Sequence, residues 1–203
     1  MPEHWEDFSA PWCQRILTNP QAYIPKSPDR SPPPPWDKLC SNRIISLSLN
    51  TPRAIRAFQP TMSPISESDK KIGIVSSFPK QTLNLISVGD GMDGWNGVLA
   101  GGAVSLMLDI TTGIMAMEVL EQESLAWTLE LITRFKKAVK TPNVLLVRSW
   151  LGSREEGGRK IVIKARLEDG EGTVFADADA LYIGQKEKRM DEDVTGKKEK
   201  ANL

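Results

Sequence analysis

Gly101-Gly102 and, eight residues later, Asp109 are the residues of this chain whose types and spacing could do chemistry. They share one segment, Gly97 to Met117 (GVLAGGAVSLMLDITTGIMAM), which is apolar on nearly every face and has Asp109 as its single charge. A helix over this segment leaves its first four amides unpaired at the positive end of the helix dipole. Gly101 and Gly102 have no side chain to keep a carbonyl oxygen from those amides, so the pair can form an oxyanion hole. A charge inside such a helix is costly unless it is paired or used. Asp109 can serve as a general base for water or as a nucleophile. Two plainer roles stand beside these. The glycines can simply allow helix and sheet to pack closely, and Asp109 can be bonded to Thr111 or Thr112 for structure alone.

At ~1.5 Å rise per residue, Gly101 and Asp109 lie about 12 Å apart along one helix. A single helix cannot readily bring both groups to one carbonyl. Two helices meeting across a two-fold interface can.

The elements that must position this helix can be read from the flanking patterns. Residues 42 onward alternate as strand, with Ile45, Leu47 and Leu49 on one face of Arg43 to Leu49. Lys71 to Phe78 and Gln81 to Val88 read as two more strands, and Gly89 to Gly97 as a glycine-rich turn. The helix is expected from about Leu99 to Leu120. Four apolar runs follow: Ala126 to Val139, Asn143 to Leu151, Lys160 to Glu168 and Val174 to Ile183. The first would also suit a helix, but its place in a hairpin-spaced series favours strand. Turn residues between the runs make neighbouring strands antiparallel. The fold class expected is α+β, a long central helix wrapped by a single antiparallel sheet.

Three regions follow from this pattern. Residues 1–65 form an N-terminal extension. It contains a short helix from about 10 to 18, with Ser9 as cap, Pro11 in the first turn and an apolar stripe of Trp5, Phe8, Trp12 and Ile16. A Pro-rich strap, SPDRSPPPPW, follows it. Residues 66–185 form the main domain, and 186–203 a charged tail of disordered composition.

Composition excludes several functions. Lys plus Arg equals Asp plus Glu at 26 each, so no overall field favours nucleic acid. The apolar segment is long enough to cross a bilayer, but its central Asp109 and acidic flank favour a buried core helix, and no membrane association is expected. His4 is the only histidine and lies in the extension, which argues against a Ser-His-Asp site. With only Cys13 and Cys40 besides, no metal is expected, and no cofactor. The start of the chain does not read as a signal peptide, so reduced thiols and a cytoplasmic location are expected. The final Ala-Asn-Leu gives a faint peroxisomal signal. Gly89 to Gly94 spells G-x-G-x-x-G, but Trp95-Asn96-Gly97 separate it from the helix, so it is not a dinucleotide fingerprint. Trp95 borders the expected pocket and either touches ligand or packs.

GWNGVLAGGAVSLMLDITTG resembles the G-x-x-HGG-x-x-x-x-x-x-D segment of the hotdog-fold thioesterase superfamily, in its phenylacetic-acid-type branch. RKIVIKARLEDGEGTVFADADALYI is similar to the last two strands of that family, and the extension with PWC resembles its fungal members. The resemblance covers about residues 66 to 185. It implies a hotdog fold, a homodimer or dimer of dimers, and hydrolysis of acyl-CoA or a carrier-bound acyl group. Each site would take Gly101 and Gly102 from one subunit and Asp109 from the other. Thr128 falls where related enzymes carry a Ser or Thr that holds the water, and Trp95, Asn96 and Ala100 border the substrate. Three departures stand out: the family's histidine is Ala100 here, a common acidic residue after the aspartate is Ile110, and Gly94 takes the place of a subgroup asparagine, with Asn96 nearby. Ala100 and Gly94 raise an alternative, a non-hydrolytic hotdog protein of secondary metabolism: a lyase, dehydratase, cyclase or ligand-binding protein.

Overall fold

Alternation in Lys160–Glu168 has a direct physical outcome: Ile161, Ile163, Ala165 and Leu167 are buried while Lys160 and Lys164 face solvent. The computed structural model describes residues 4–25, 44–120, 124–156 and 159–186. The strap residues 27–36, Cys40 and the tail from 187 lie outside the described residues.

Six strands form one antiparallel sheet: β1 (Ile55–Pro64), β2 (Lys80–Val88), β5 (Ser124–Phe135), β6 (Asn143–Arg154), β7 (Lys160–Glu168) and β8 (Val174–Lys186). Their spatial order is β1-β2-β6-β7-β8-β5. Two short strands, β3 (Asp93–Trp95) and β4 (Val98–Leu99), make a separate hairpin. Helix α3 (Gly101–Val119) lies across one face of the sheet and buries Val104, Met107, Leu108, Ile114, Met115 and Val119 against it. It is long and apolar enough to cross a bilayer, yet one side is packed on β2, β5, β6, β7 and β8.

Four expectations are corrected. Where alternation over 43–49 predicts a strand, residues Ile44–Ser48 make one wide helical turn closed by Leu49 N–H donating to Ile44 O at 2.8 Å. The turn buries Ile45 and leaves Leu47 outside, where a strand would put both on one face. Where 71–78 predicts a strand, helix α2 (Glu67–Lys71) ends at Lys71 and residues 72–78 form turn and coil. A reciprocal Ser66–Asp69 capping box starts the helix, and Gly73 at φ +89° turns the chain away. Ser9 does not cap α1 (Pro11–Leu17): Ala10 holds that position with no side-chain bond, and Pro11 opens the helix as expected. Finally, β5 does not pair with its sequence neighbour β6. It lies at the far edge beside β8, because the 136–142 link is no tight turn. Its amides are spent on other segments, Lys136 N–H on Phe175 O at 2.8 Å and Thr141 N–H on Gly97 O at 3.3 Å. The sheet also takes in Ile55–Pro64, upstream of residue 66.

The extension packs on the sheet face opposite α3. Phe8, Trp12 and Cys13 bury themselves against Ala57, Leu83, Leu85 and Leu146. Asp7 accepts from Arg56 Nε at 2.8 Å and from Ser87 Oγ at 2.5 Å. Further on, Tyr23 exchanges backbone hydrogen bonds with Met62 at the outer side of β1, at 3.0 and 2.7 Å.

Burial pushes the Cys13 thiol from its ordinary 9.0 up to about 11. It likewise pushes the Tyr182 phenol on β8 from 10.0 up to about 12. Both groups then ionise in the unfolded chain before they ionise in the folded one. The unfolded state holds fewer protons over that range, so stability falls as pH rises. Melting temperatures are expected to drop between pH 9 and 12, and the slope should flatten in Cys13→Ala and Tyr182→Phe variants. A slope unchanged in both variants would assign the loss to other groups.

Candidate functional site

The start of α3 is set by the hairpin before it. Asp93 holds this turn with both carboxylate oxygens: Oδ2 accepts from Gly97 N–H at 2.8 Å and Oδ1 from Thr141 Oγ1 at 2.6 Å. Gly97 takes φ +72°, in the left-handed region open to glycine. Ala100 N–H donates to Met92 O at 3.0 Å, which seats the residue immediately before the helix. Gly94 backs directly onto it: a Cβ there would stand 3.1 Å from Ala100 Cα. Ala100 and Gly94, two of the departures from the family pattern, therefore lie against each other at one end of α3.

Val104 N–H makes the first intrahelical bond, to Ala100 O at 3.1 Å. The amides of Gly101 and Gly102 precede it and lack helical partners. Both glycines are exposed. A Cβ on Gly102 would meet nothing within 4 Å, and one on Gly101 only the ring of Phe135 at 3.4 Å. A cavity of about 330 Å³ opens beside Gly101, lined by Leu99, Val104, Val139, Phe135, Phe175 and Lys137. Trp95 and Asn96 project from the hairpin tip, Trp95 with 81% of its surface exposed.

Asp109 is half-buried, not enclosed as the apolar sequence suggests. It lies on the side of α3 turned away from the core, with half-buried Leu106 and Gly113. Its Oδ1 accepts a hydrogen bond from Thr128 Oγ1 at 3.0 Å. Thr111 and Thr112 do not hold the carboxylate. Their hydroxyls donate back to main-chain carbonyls, Thr111 to Met107 O and Thr112 to Leu108 O, each at 2.8 Å. Thr128 sits where β5 loses register: it pairs with Tyr182, and the next pair is Glu130 with Leu181, so Leu129 is the extra residue of a bulge. The bulge lets Thr128 and then Leu131 face α3, which an unbroken alternation would not allow. Asp109 and Thr128 are thus together within one chain, while Gly101 and Gly102 are two turns away.

Tyr182 belongs to this site and is not evident from motif spacing. Its hydroxyl donates to Asp109 O at 3.0 Å and lies 2.9 Å from Thr112 Oγ1. The signal that could have found it is its alternation in β8, which places it opposite the helix, but only once the β5–β8 pairing is known.

The far edge of the sheet is apolar and open. Trp127, Leu129, Ile132 and Phe135 of β5 are 54%, 53%, 42% and 58% exposed. Among the described residues β5 is hydrogen-bonded as a strand only to β8.

The chain is similar in sequence and in fold to known thioesterases. Residues 96–176 match the model of the Thioesterase superfamily. The chain is 32% identical over 105 residues to the acyl-coenzyme A thioesterase THEM4 of Mus musculus, a match covering 51% of this chain and 43% of the mouse protein. The chain therefore spans under half the length of that relative. A crystal structure of the candidate thioesterase yhdA from Lactococcus lactis superposes with a TM-score of 0.50 at 16% identity, covering 54% of this chain and 84% of the other. Thioesterase HI1161 of Haemophilus influenzae gives a TM-score of 0.49 at 12% identity, covering 56% and 77%. The long helix packed on an antiparallel sheet is a hotdog fold, and residues 96–176 within it are similar to the Thioesterase superfamily.

Proposed function

We propose that this protein is an acyl-thioester hydrolase acting on acyl-CoA or a carrier-bound acyl group. The observation that carries the reading is the Thr128–Asp109 hydrogen bond, which sets a strand hydroxyl against a half-buried carboxylate on the uncovered side of α3. The open amides at the start of the same helix supply the second half of the chemistry. The thioester carbonyl oxygen accepts from Gly101 and Gly102, which take up its negative charge as the tetrahedral intermediate forms. Asp109 accepts a proton from the attacking water, or attacks the carbonyl itself, and Thr128 orients that water. The intermediate collapses with loss of the thiolate. Trp95, Asn96 and Ala100 border the entrance. The name of the mouse relative supports acyl-CoA as the substrate class. The segment GWNGVLAGGAVSLMLDITTG supports the finer placement in the phenylacetic-acid-type branch.

In this reading the site is built by two copies. The ~12 Å between Gly101 and Asp109 along one helix favours it. So does the apolar β5 edge, since an exposed edge strand is a template for pairing with another chain. Asp109→Asn and Gly102→Val are each expected to lose turnover, the valine filling space that is open beside Gly102. Co-expressed, the two variants are expected to regain a measurable part of it, because a mixed dimer holds one intact site. No recovery in verified mixed dimers would remove the two-subunit site.

One observation favours a second reading. Gly94 packed against Ala100 puts no polar side chain at either of these two positions, as suits a lyase, dehydratase, cyclase or ligand-binding protein of secondary metabolism. Absence of hydrolysis across a broad acyl-CoA panel, with tight binding of a small apolar ligand, would decide for it.

A further inference from the structure

Tyr182 is 2% exposed, at the interface of α3 and the sheet. A phenol this deeply buried needs hydrogen-bond partners, and phenylalanine would fill the same space without them. The partners it has are specific. Its hydroxyl donates to the main-chain carbonyl of Asp109 at 3.0 Å and lies 2.9 Å from Thr112 Oγ1. On β8 it stands directly opposite Thr128, the last β5 residue in register before the bulge. Residues opposite each other in an antiparallel pair project to the same face, so Tyr182 and Thr128 approach the same turn of α3. Gly113 lies beside the hydroxyl: a Cβ there would stand 3.6 Å from the Tyr182 hydroxyl oxygen, in ordinary contact.

We propose that Tyr182 is a positioning residue for the Asp109–Thr128 pair. Its hydroxyl fixes the helix turn that carries Asp109 at the height of Thr128 and so sets where the carboxylate points. The inference rests on the hydrolytic reading of Asp109. It adds that the aim of the carboxylate depends on a hydroxyl that touches neither water nor substrate.

Tyr182→Phe keeps the packing and removes the tie. Its kcat is expected to fall about ten- to hundredfold, the scale of a misplacement near 1 Å, with KM unchanged and melting close to wild type at neutral pH. Combined with Thr128→Val, it is expected to add no further loss, because both changes break one unit. Losses that multiply would overturn the proposal, since a residue of merely structural importance acts independently of Thr128. A second readout needs no turnover. The carboxyl carbon of Asp109, followed by ¹³C NMR at neutral pH, is expected to shift in Tyr182→Phe as it does in Thr128→Val. An unmoved resonance in Tyr182→Phe would also overturn the proposal. Turnover retained in Asp109→Asn would instead remove the hydrolytic reading and leave the NMR result to judge the positioning.

Discussion

Asp109→Ala is expected to abolish hydrolysis of acyl-CoA substrates while leaving the fold intact. The loss should be at least ~10²–10⁴-fold, the usual contribution of a positioned general base, and larger if Asp109 is the nucleophile. The fold should survive for reasons visible at the site. Asp109 is half-buried, and the side-chain partner holding its Oδ1 is Thr128. Alanine is the better helix former by up to ~0.7 kcal/mol. Tyr182 bonds the main-chain carbonyl of residue 109, which the substitution keeps. Thiol release from a panel of acyl-CoAs gives the activity, and circular dichroism with thermal melting gives the fold. Unchanged turnover in a folded Asp109→Ala protein would end the proposed mechanism.

Gly170→Ala, far from that site, is expected to be the most damaging small substitution in the chain. Gly170 has φ +73°, where an alanine costs roughly 1–3 kcal/mol. Its Cβ would also lie 2.3 Å from Trp12 Cε3 and 2.5 Å from Trp12 Cδ2. Nothing flexible yields there. The indole face is packed directly on the glycine, and Trp12 is itself wedged among Phe8, Cys13 and the sheet. Either the β7–β8 turn shifts or Trp12 leaves. Losing a buried Trp contact costs about 3–5 kcal/mol, so a loss of several kcal/mol is expected, with residues 4–25 becoming sensitive to protease. Trp12→Ala should make the same extension labile. The double variant should be far less than additive, because the clash vanishes with the indole. A Gly170→Ala protein with wild-type melting and a protected extension would show that Trp12 is not seated on this turn.

The central helix and the last three strands were legible because their patterns have few competitors. Lys160–Glu168 alternates cleanly, and a 19-residue apolar stretch opened by Gly-Gly has little to become except a core helix. The errors came where local bonding outbid alternation. Beyond helix α2, which the capping box of Ser66 and Asp69 starts, residues 72–78 turn at Gly73 where a strand was expected, and a bond from Leu49 to Ile44 closed a helical turn where Ile45, Leu47 and Leu49 suggested a strand. At the site, Asp109, Gly101 and Gly102 could be read from spacing, and Thr128 from family resemblance. Tyr182 could not, since its relevance depends on β5 crossing to the β8 edge, a long-range pairing that no local pattern encodes. Asp109 is also less buried than its apolar neighbours suggest, because hydropathy along a helix does not say which side will lack a cover.

The backbone bonds between Tyr23 and Met62 have a consequence for how many copies can assemble. A sheet with two free borders can add subunits at either end without limit, and the product is a fibre. Here Tyr23 of the chain's own N-terminal segment is bonded to Met62 at one border, and β5 is left as the other among the described residues. Two copies joined β5 to β5 would bury the adhesive border of each. In the proposed pair the Tyr23 bridge would stand at both outer borders, where it would oppose further growth by strand addition.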